Sequence, residues 1–303
     1  MKVRSDLLPS LGLVFGAAVW GLYWIPVRGI EAAGVHTFWT GPVIFGATCT
    51  LILPLIIWRL PVFFAHWRRI LLPGLLTGSA FALYIASLNL TEVVRAILLF
   101  YMTPLWSTLL GVLILKERLT INRVFALLLA CSGLYVVLVA ESGLPIPRNA
   151  GDWFALISGI CWSFASVRLF QDGARQIIEK VFTFIVAALL LSLILLKLHQ
   201  GDLQGSPSAT ELRAGWYWIL IVGAATLPIC YLTLWPATLL SPARVGMLLM
   251  AEVIVGVVSA ALLTDEPFGL REIAGTVLIL SAGVVEVMRQ QSIANSGMIN
   301  GQA

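Results

Sequence analysis

Glu252 is the one acidic residue near the middle of a long apolar run, and Trp20, Tyr84, Tyr101, Trp106 and Trp162 lie at comparable depth in other runs. A charged carboxylate at the centre of a lipid-embedded helix costs about 2.5–3.5 kcal/mol on insertion scales, so it belongs against a cavity or a partner. There it suits proton exchange or capture of a substrate amine. The structural alternative is a neutral Glu252 bonded to a neighbouring helix, and spacing does not choose between them. The aromatic faces can stack a substrate ring or hold an ammonium by cation–π attraction worth about 0.5–2 kcal/mol. Ordinary packing is the competing role for each ring.

These residues sit in stripes of small and polar side chains, which in lipid turn towards other helices or a cavity. Gly12, Gly16, Trp20 and Trp24 recur every four residues and share one helical face. Thr77, Tyr84, Ser87 and Thr91 form a second stripe beside Gly74 and Gly78, and Thr103, Trp106, Ser107 and Gly111 follow a third, below a kink expected at Pro104. Gly159, Trp162, Ser163 and Ser166 make a fourth; Thr226, Cys230 and Thr233 a fifth; Glu252, Gly256 and Ser259 a sixth. Trp20, Trp24, Tyr84, Tyr101, Thr103, Trp106, Trp162, Ser163 and Glu252 are the candidate substrate-binding residues. Gly74, Gly78, Pro104, Gly111, Pro228 and Gly256 are the expected bending points.

Composition says what must position these groups. Apolar residues make up 59% of the 303-residue chain and charged residues 11%, with a mean hydropathy of +0.96; a soluble domain runs near ~45–50% and ~25%. Ten stretches can cross a bilayer: 8–27, 36–58, 70–90, 95–115, 121–140, 150–170, 178–197, 214–235, 243–264 and 270–289. The N-terminal Lys2 and Arg4 precede a signal-like run, but no small-residue cleavage site follows before Arg28, so the first span reads as uncleaved. Cys49, Cys131, Cys161 and Cys230 all lie in apolar segments without CxxC spacing and read as small buried residues. No histidine is deep enough for metal chemistry, no cofactor motif is present, and no basic run interleaved with aromatics points to nucleic acid. Trp58, Trp67, Trp153, Trp216 and Trp218, near span ends, read as interface anchors.

The chain repeats itself. An offset of 149 superposes Glu117 on Glu266, Gly74 on Gly223, Thr77 on Thr226, Arg95 on Arg244 and Ser132 on Ser281. The expected units are residues 1–140, a linker at 141–149, residues 150–291 and a disordered tail at 292–303. Five spans is an odd number, so the second unit must be inverted. The loop Lys116-Glu-Arg118 with Arg123 becomes Asp265-Glu-Pro267 with Glu272 in the second unit, losing its basic residues. Of the 19 lysines and arginines, 13 fall on the side of the N-terminus and 6 on the other, which predicts cytoplasmic termini. The predicted fold is an all-α integral membrane protein of ten transmembrane helices, two inverted five-helix repeats around a central cavity. Spans 1, 3, 4, 6, 8 and 9 wall the cavity, and spans 2, 5, 7 and 10 are outer supports. Arg95 and Arg244 are expected to snorkel to headgroups, while Glu117 and Glu266 secure the loops after spans 4 and 9.

The run Pro104-Leu-Trp-Ser-Thr-Leu-Leu-Gly-Val-Leu-Ile-Leu-Lys-Glu-Arg-Leu119 resembles the helix-four signature of the drug/metabolite transporter superfamily, of EamA type. Trp20-Gly21 is similar to that family's first-helix Trp-Gly, and Trp162-Ser163 to its second-half counterpart. The likeness covers residues 8 to 289 and is nearest to the bacterial exporters of aromatic amino acids. The second half departs from the pattern, with Val253 in the place of Pro104 and Glu252 in that of Thr103.

The resemblance implies a multi-pass protein of the bacterial inner membrane that exports a small-molecule substrate, aromatic amino acids first, by alternating access, and works as a monomer in the lipid bilayer. In that reading the hydroxyls of Tyr84 and Thr103 meet the zwitterion. A proton-coupled exporter of hydrophobic cations, for which Glu252 is essential, is the alternative. An intramembrane enzyme is disfavoured, since there is no GxSxG, no HExxH and no deep histidine to act as a base.

Overall fold

The computed structural model describes residues 7–103, 106, 110, 121–142, 147–199, 205–240, 242–265, 268–282 and 284–285. Pro104, Ser107, Gly111, Glu117, Glu266 and the tail expected at 292–303 lie outside the described residues, as does the Arg244 side chain.

Among the described residues every secondary-structure element is a helix, which follows from spans whose backbone groups must be satisfied without water. They are α1 (Leu7–Gly21), α2 (Trp24–Ala32), α3 (Thr37–Leu90), α4 (Val93–Phe100), α5 (Ile121–Ser142), α6 (Ala150–Asp172), α7 (Ile177–Leu198), α8 (Ala209–Ala214), α9 (Trp216–Ala237) and α10 (Pro242–Leu263). A further helical stretch covers 270–282. Five described stretches are long and apolar enough to cross a membrane: Leu7–Ala32, Thr37–Leu90, Ala150–Leu169, Ile177–Leu198 and Trp216–Ala237.

Two of these differ from the sequence expectation. Spans two and three are joined without a loop, because α3 keeps helical geometry over 54 residues except at His66, with φ −128° and ψ 16°. At about 1.5 Å per residue such a helix, if straight, would be more than twice as long as the ~30 Å hydrocarbon layer is thick. The Asn89 side-chain amide instead donates to Thr40 Oγ1 at 3.3 Å. The chain therefore doubles back at His66, and α3 supplies two antiparallel arms.

The first span is broken into α1 and α2 at Leu22–Tyr23. Pro26 has no N–H to give the Leu22 carbonyl, and its ring crowds that oxygen. The Ile25 N–H takes it instead at 3.1 Å, a tighter turn than the α-helix allows.

Contacts between the two units come in exchanged pairs. Helix α1 packs on α9 and α10, as α6 packs on α3 and α4. A Cβ on Gly21 would lie 2.7 Å from the Glu252 carbonyl oxygen, and one on Gly159 would lie 2.5 Å from that of Phe100. The second arm of α3 approaches α7 at Gly78, where a Cβ would stand 2.5 Å from the Phe184 oxygen. In the exchanged contact, Gly223 of α9 meets Ala47 and Thr48 of the first arm. Gly133 of α5 lies against Gly275 and Ile279.

Helix α7, expected as an outer support, is more than that. It packs against both arms of α3, buries Phe184 and Lys180 fully, and ties Glu179 Oε1 to Arg59 Nε at 2.7 Å. Trp58, Trp67, Trp153 and Trp216 are exposed as anchors should be, but Trp218 is half-buried over Gly29.

Gly78→Val should therefore collide with backbone, costing about 1–3 kcal/mol or more as overpacking does. Gly46→Ala, whose new Cβ meets only Leu189 Cδ1 at 4.0 Å, should be nearly neutral. Thermal unfolding of the two variants in one detergent compares them; equal melting temperatures would contradict the packing.

Candidate functional site

The break in the first span lies beside the deep carboxylate. Gly21, the last residue of α1, touches the Glu252 backbone, and the missing Cβ permits that approach. A second break flanks the other side. Helix α4 ends at Phe100, Tyr101 and Met102 form a turn, and the sequence then places Pro104 four residues after Phe100. The Phe100 carbonyl, which Pro104 cannot serve, accepts from Thr103 Oγ1 at 2.9 Å. Glu252 thus stands between two helices, each interrupted two to four residues ahead of a proline.

The turn aims Tyr101 at it. The Tyr101 hydroxyl lies 2.8 Å from Glu252 Oε2 and 2.9 Å from the Leu249 carbonyl, and the Tyr84 hydroxyl faces the same carboxyl. Glu252 is 4% exposed.

From Tyr84 an aromatic cluster runs inward. Its centre is Phe81, whose ring centroid lies 4.4 Å from Trp20, 5.0 Å from Phe184 and 5.9 Å from Trp162. Tyr84 and Phe100 are 4.9 Å apart, and Phe100 meets Tyr101 edge-on at 5.2 Å. The polar ends of the first-span aromatics are all satisfied by the second unit. Trp20 Nε1 donates to Thr233 Oγ1 at 2.9 Å, Trp24 Nε1 to Ser259 Oγ at 3.0 Å, and the Tyr23 hydroxyl pairs with Thr226 Oγ1 at 2.7 Å.

Most of the candidate substrate-binding residues therefore converge. Trp20, Tyr84, Tyr101, Trp162 and Glu252 share the Phe81 cluster or its margin, and Ser163 reaches the Thr103 carbonyl at 3.5 Å. Trp24 lies one turn further along the first span, bonded to α10. Trp106 is half-buried against the core, and its indole N–H has no hydrogen-bond partner among the described residues. Where an open cavity was expected at this level, the rings of Trp20, Phe81, Tyr84 and Trp162 pack on one another and are nearly inaccessible. Of the expected bending points, Gly74, Gly78 and Gly256 sit at close helix contacts, and Pro228 lies within a continuous α9. Pro104 and Gly111 lie outside the described residues.

Sequence reasoning passed over Phe81, Tyr23, Phe100, Phe184, Pro26 and Asp152. Phe81 was available as the residue between Thr77 and Tyr84 on the same stripe. Pro26 was available as a proline inside a predicted span.

The expectation that Arg95 snorkels is corrected. Arg95 is 3% exposed and grips Asp152 of the other unit, its Nε lying 2.9 Å from both carboxylate oxygens and its Nη2 2.7 Å from Oδ2. Thr91 Oγ1 and the Arg148 N–H also donate to Asp152, at 2.8 and 2.9 Å. Arg28 reaches the same end, donating to the Leu88 and Thr91 carbonyls. An acid at the first turn of α6 lies within reach of the start of α4, so the guanidinium finds a carboxylate before it finds a headgroup.

Comparison with known proteins agrees with a duplicated carrier. The model of the EamA-like transporter family matches residues 8–139 and again 149–287. An uncharacterized transporter of Vibrio cholerae is 37% identical over 93 residues, 29% of this chain and 31% of that protein. One of Archaeoglobus fulgidus is 37% identical over 95 residues, 31% of this chain and 33% of that protein. The chain thus spans about a third of the length of each curated relative. A solved crystal structure superposes with a TM-score of 0.58 at 19% identity, covering 96% of this chain and 99% of that one, and shares its fold.

Removing one partner of a buried ion pair strands the other, at about 3–5 kcal/mol. Arg95→Ala and Asp152→Ala should each lose on that order of stability, and the double variant clearly less than their sum. Unfolding of the four forms in detergent supplies the cycle; strict additivity would refute the coupling.

Proposed function

The chain belongs to the EamA-like transporter family, and we propose that it exports aromatic amino acids across the bacterial inner membrane by alternating access. The observation that carries this reading is Glu252, buried against two proline-broken helices at the margin of an aromatic cluster drawn from both units. Discontinuous spans at mid-membrane are where carriers place their substrates, because a broken helix offers polar backbone ends without exposing them to lipid.

The proposed site divides the work by chemistry. Trp20, Phe81, Tyr84 and Trp162 receive the apolar side chain. Glu252 with Tyr101 receives the ammonium, and the indole N–H of Trp106, which has no partner among the described residues, donates to the carboxylate. The packed rings represent the empty, closed form, in which the side chains fill each other's space.

Switching uses the duplicated frame: ten spans, the second five inverted, related by a two-fold axis in the membrane plane. Reciprocal contacts support it, since a pair of elements touching in one sense and again with the units exchanged is what a two-fold relation generates. Arg95 and Asp152 seal the outer end between the units. The counterpart of Arg95 in the second unit is Arg244. The lysine and arginine bias supports cytoplasmic termini, and in this reading one chain carries the whole site.

Purified protein in liposomes should give saturable flux of labelled tryptophan, faster than that of alanine. Phe81→Leu should raise the KM for tryptophan about two- to tenfold, the worth of one aromatic contact at about 0.5–1.5 kcal/mol, with little effect on alanine. Flux of a quaternary amine with none of tryptophan would replace this reading by export of hydrophobic cations.

A further inference from the structure

Among the described residues, the carboxyl of Glu252 is the buried charge-bearing group that the ion pairs leave over. Arg95 is held by Asp152, Glu179 by Arg59, and Lys180 lies 3.8 Å from Asp172. Among the described residues, no lysine or arginine bonds to Glu252. The titratable groups that face it are Tyr101, across from α4, and Tyr84, from the second arm of α3. From α1 it meets Gly21, and on α9 Cys230 lies towards Tyr23 instead. Arg244 is two turns away on the same helix, about 12 Å along its axis.

Hydrogen counting makes the same point. The Tyr101 hydroxyl has one hydrogen and two oxygens in reach, Leu249 O at 2.9 Å and Glu252 Oε2 at 2.8 Å. If Glu252 carries a proton, it donates to Tyr101, Tyr101 donates to Leu249, and each contact holds one hydrogen. If Glu252 is ionised, Tyr84 and Tyr101 can both donate to it, but the Leu249 contact then shares or loses its hydrogen, and a charge with no cationic partner among the described residues is sealed in the closed core.

Resting on the transporter reading above, we propose that Glu252 is a cation-exchange site. The closed seam between α4 and α10 holds it with one proton, and the substrate's ammonium replaces that proton, so each molecule moved is exchanged for one proton. On the side to which the site opens, Glu252 releases its proton to water and the O–H bond breaks. The carboxylate then pairs with the incoming ammonium, and the loaded site closes neutral at that position. On the far side the ammonium leaves, water returns a proton to Glu252, and the empty site can close again. An ionised, empty Glu252 does not close, which couples the two fluxes.

The test uses the full chain. In weakly buffered detergent with a pH indicator, saturating tryptophan should release about one proton per protein; in liposomes with the membrane potential clamped, one unit of pH gradient should concentrate labelled tryptophan about tenfold. Glu252→Gln should release no proton and only equilibrate the tracer, while Glu252→Asp keeps the exchange. The proton count on the native chain stands even where Glu252→Gln fails to fold. Saturable tryptophan flux without proton release or gradient-driven accumulation overturns the exchange and leaves the transporter reading intact. Proton-linked flux of tetraphenylphosphonium with none of tryptophan upholds exchange at Glu252 and overturns the amino-acid reading. Flux of neither overturns both.

Discussion

Inside a bilayer a carbonyl that loses its helix partner has no water to turn to, and the centre of this protein is arranged around two such carbonyls. Pro26 and Pro104 cannot donate to Leu22 and Phe100, and each oxygen is captured within its own turn, by the Ile25 N–H and by the Thr103 hydroxyl. The local repair has a geometric consequence. It shortens the turn, halts the helix and swings the next side chains off their regular stripe. That is how Tyr101 comes to point across the seam at Glu252, and how Gly21 ends α1 flush against the α10 backbone. The site is placed by where backbone bonding fails and is mended.

The charged groups obey a related constraint. Removing a charge from water is tolerable only with a partner, and the two ends of the molecule comply with pairs that join different helices. Arg95 and Asp152 bind the units at one end; Arg59 and Glu179 bind the first arm of α3 to α7 at the other. Such pairs hold helices in register while leaving the middle to be held by packing. Among the described residues the middle is lined by glycines and interdigitated rings, not by ionic bonds.

How much of this was legible in the sequence follows from the same physics. The all-helical fold, the duplication and the convergence of Trp20, Tyr84, Tyr101, Trp162 and Glu252 follow from hydropathy, offset and stripe, because lipid admits little besides helices with their polar face turned inward. The helical join at 59–69 was hidden, since its charged residues look like a loop although their backbone stays helical up to His66. Arg95 was misread because its partner lies 57 residues away in the other unit. One charged residue at a span end looks the same whether it meets a headgroup or a carboxylate. Phe81 was hidden for a different reason. A phenylalanine in an apolar span carries no polar signal, and only the arrangement of α1, α6 and α7 around it makes it the hub.

The glycine contacts and the helix breaks belong to one design problem. A seam of closely approaching backbones needs glycine where a side chain would otherwise stand between them. Gly21 against Glu252 and Gly159 against Phe100 meet that need, since each puts a helix face directly on a carbonyl oxygen. The Phe100 oxygen is one of the two that proline releases, and the Gly21 contact falls at the end of the helix that Pro26 interrupts. Close approach and broken helix therefore coincide in both halves of the seam. A hinge set apart from the seam would move the helices without changing the site. Here Glu252 and Tyr101 lie at the breaks themselves, so in the proposed alternating access bending at either one displaces the groups proposed to meet the ligand.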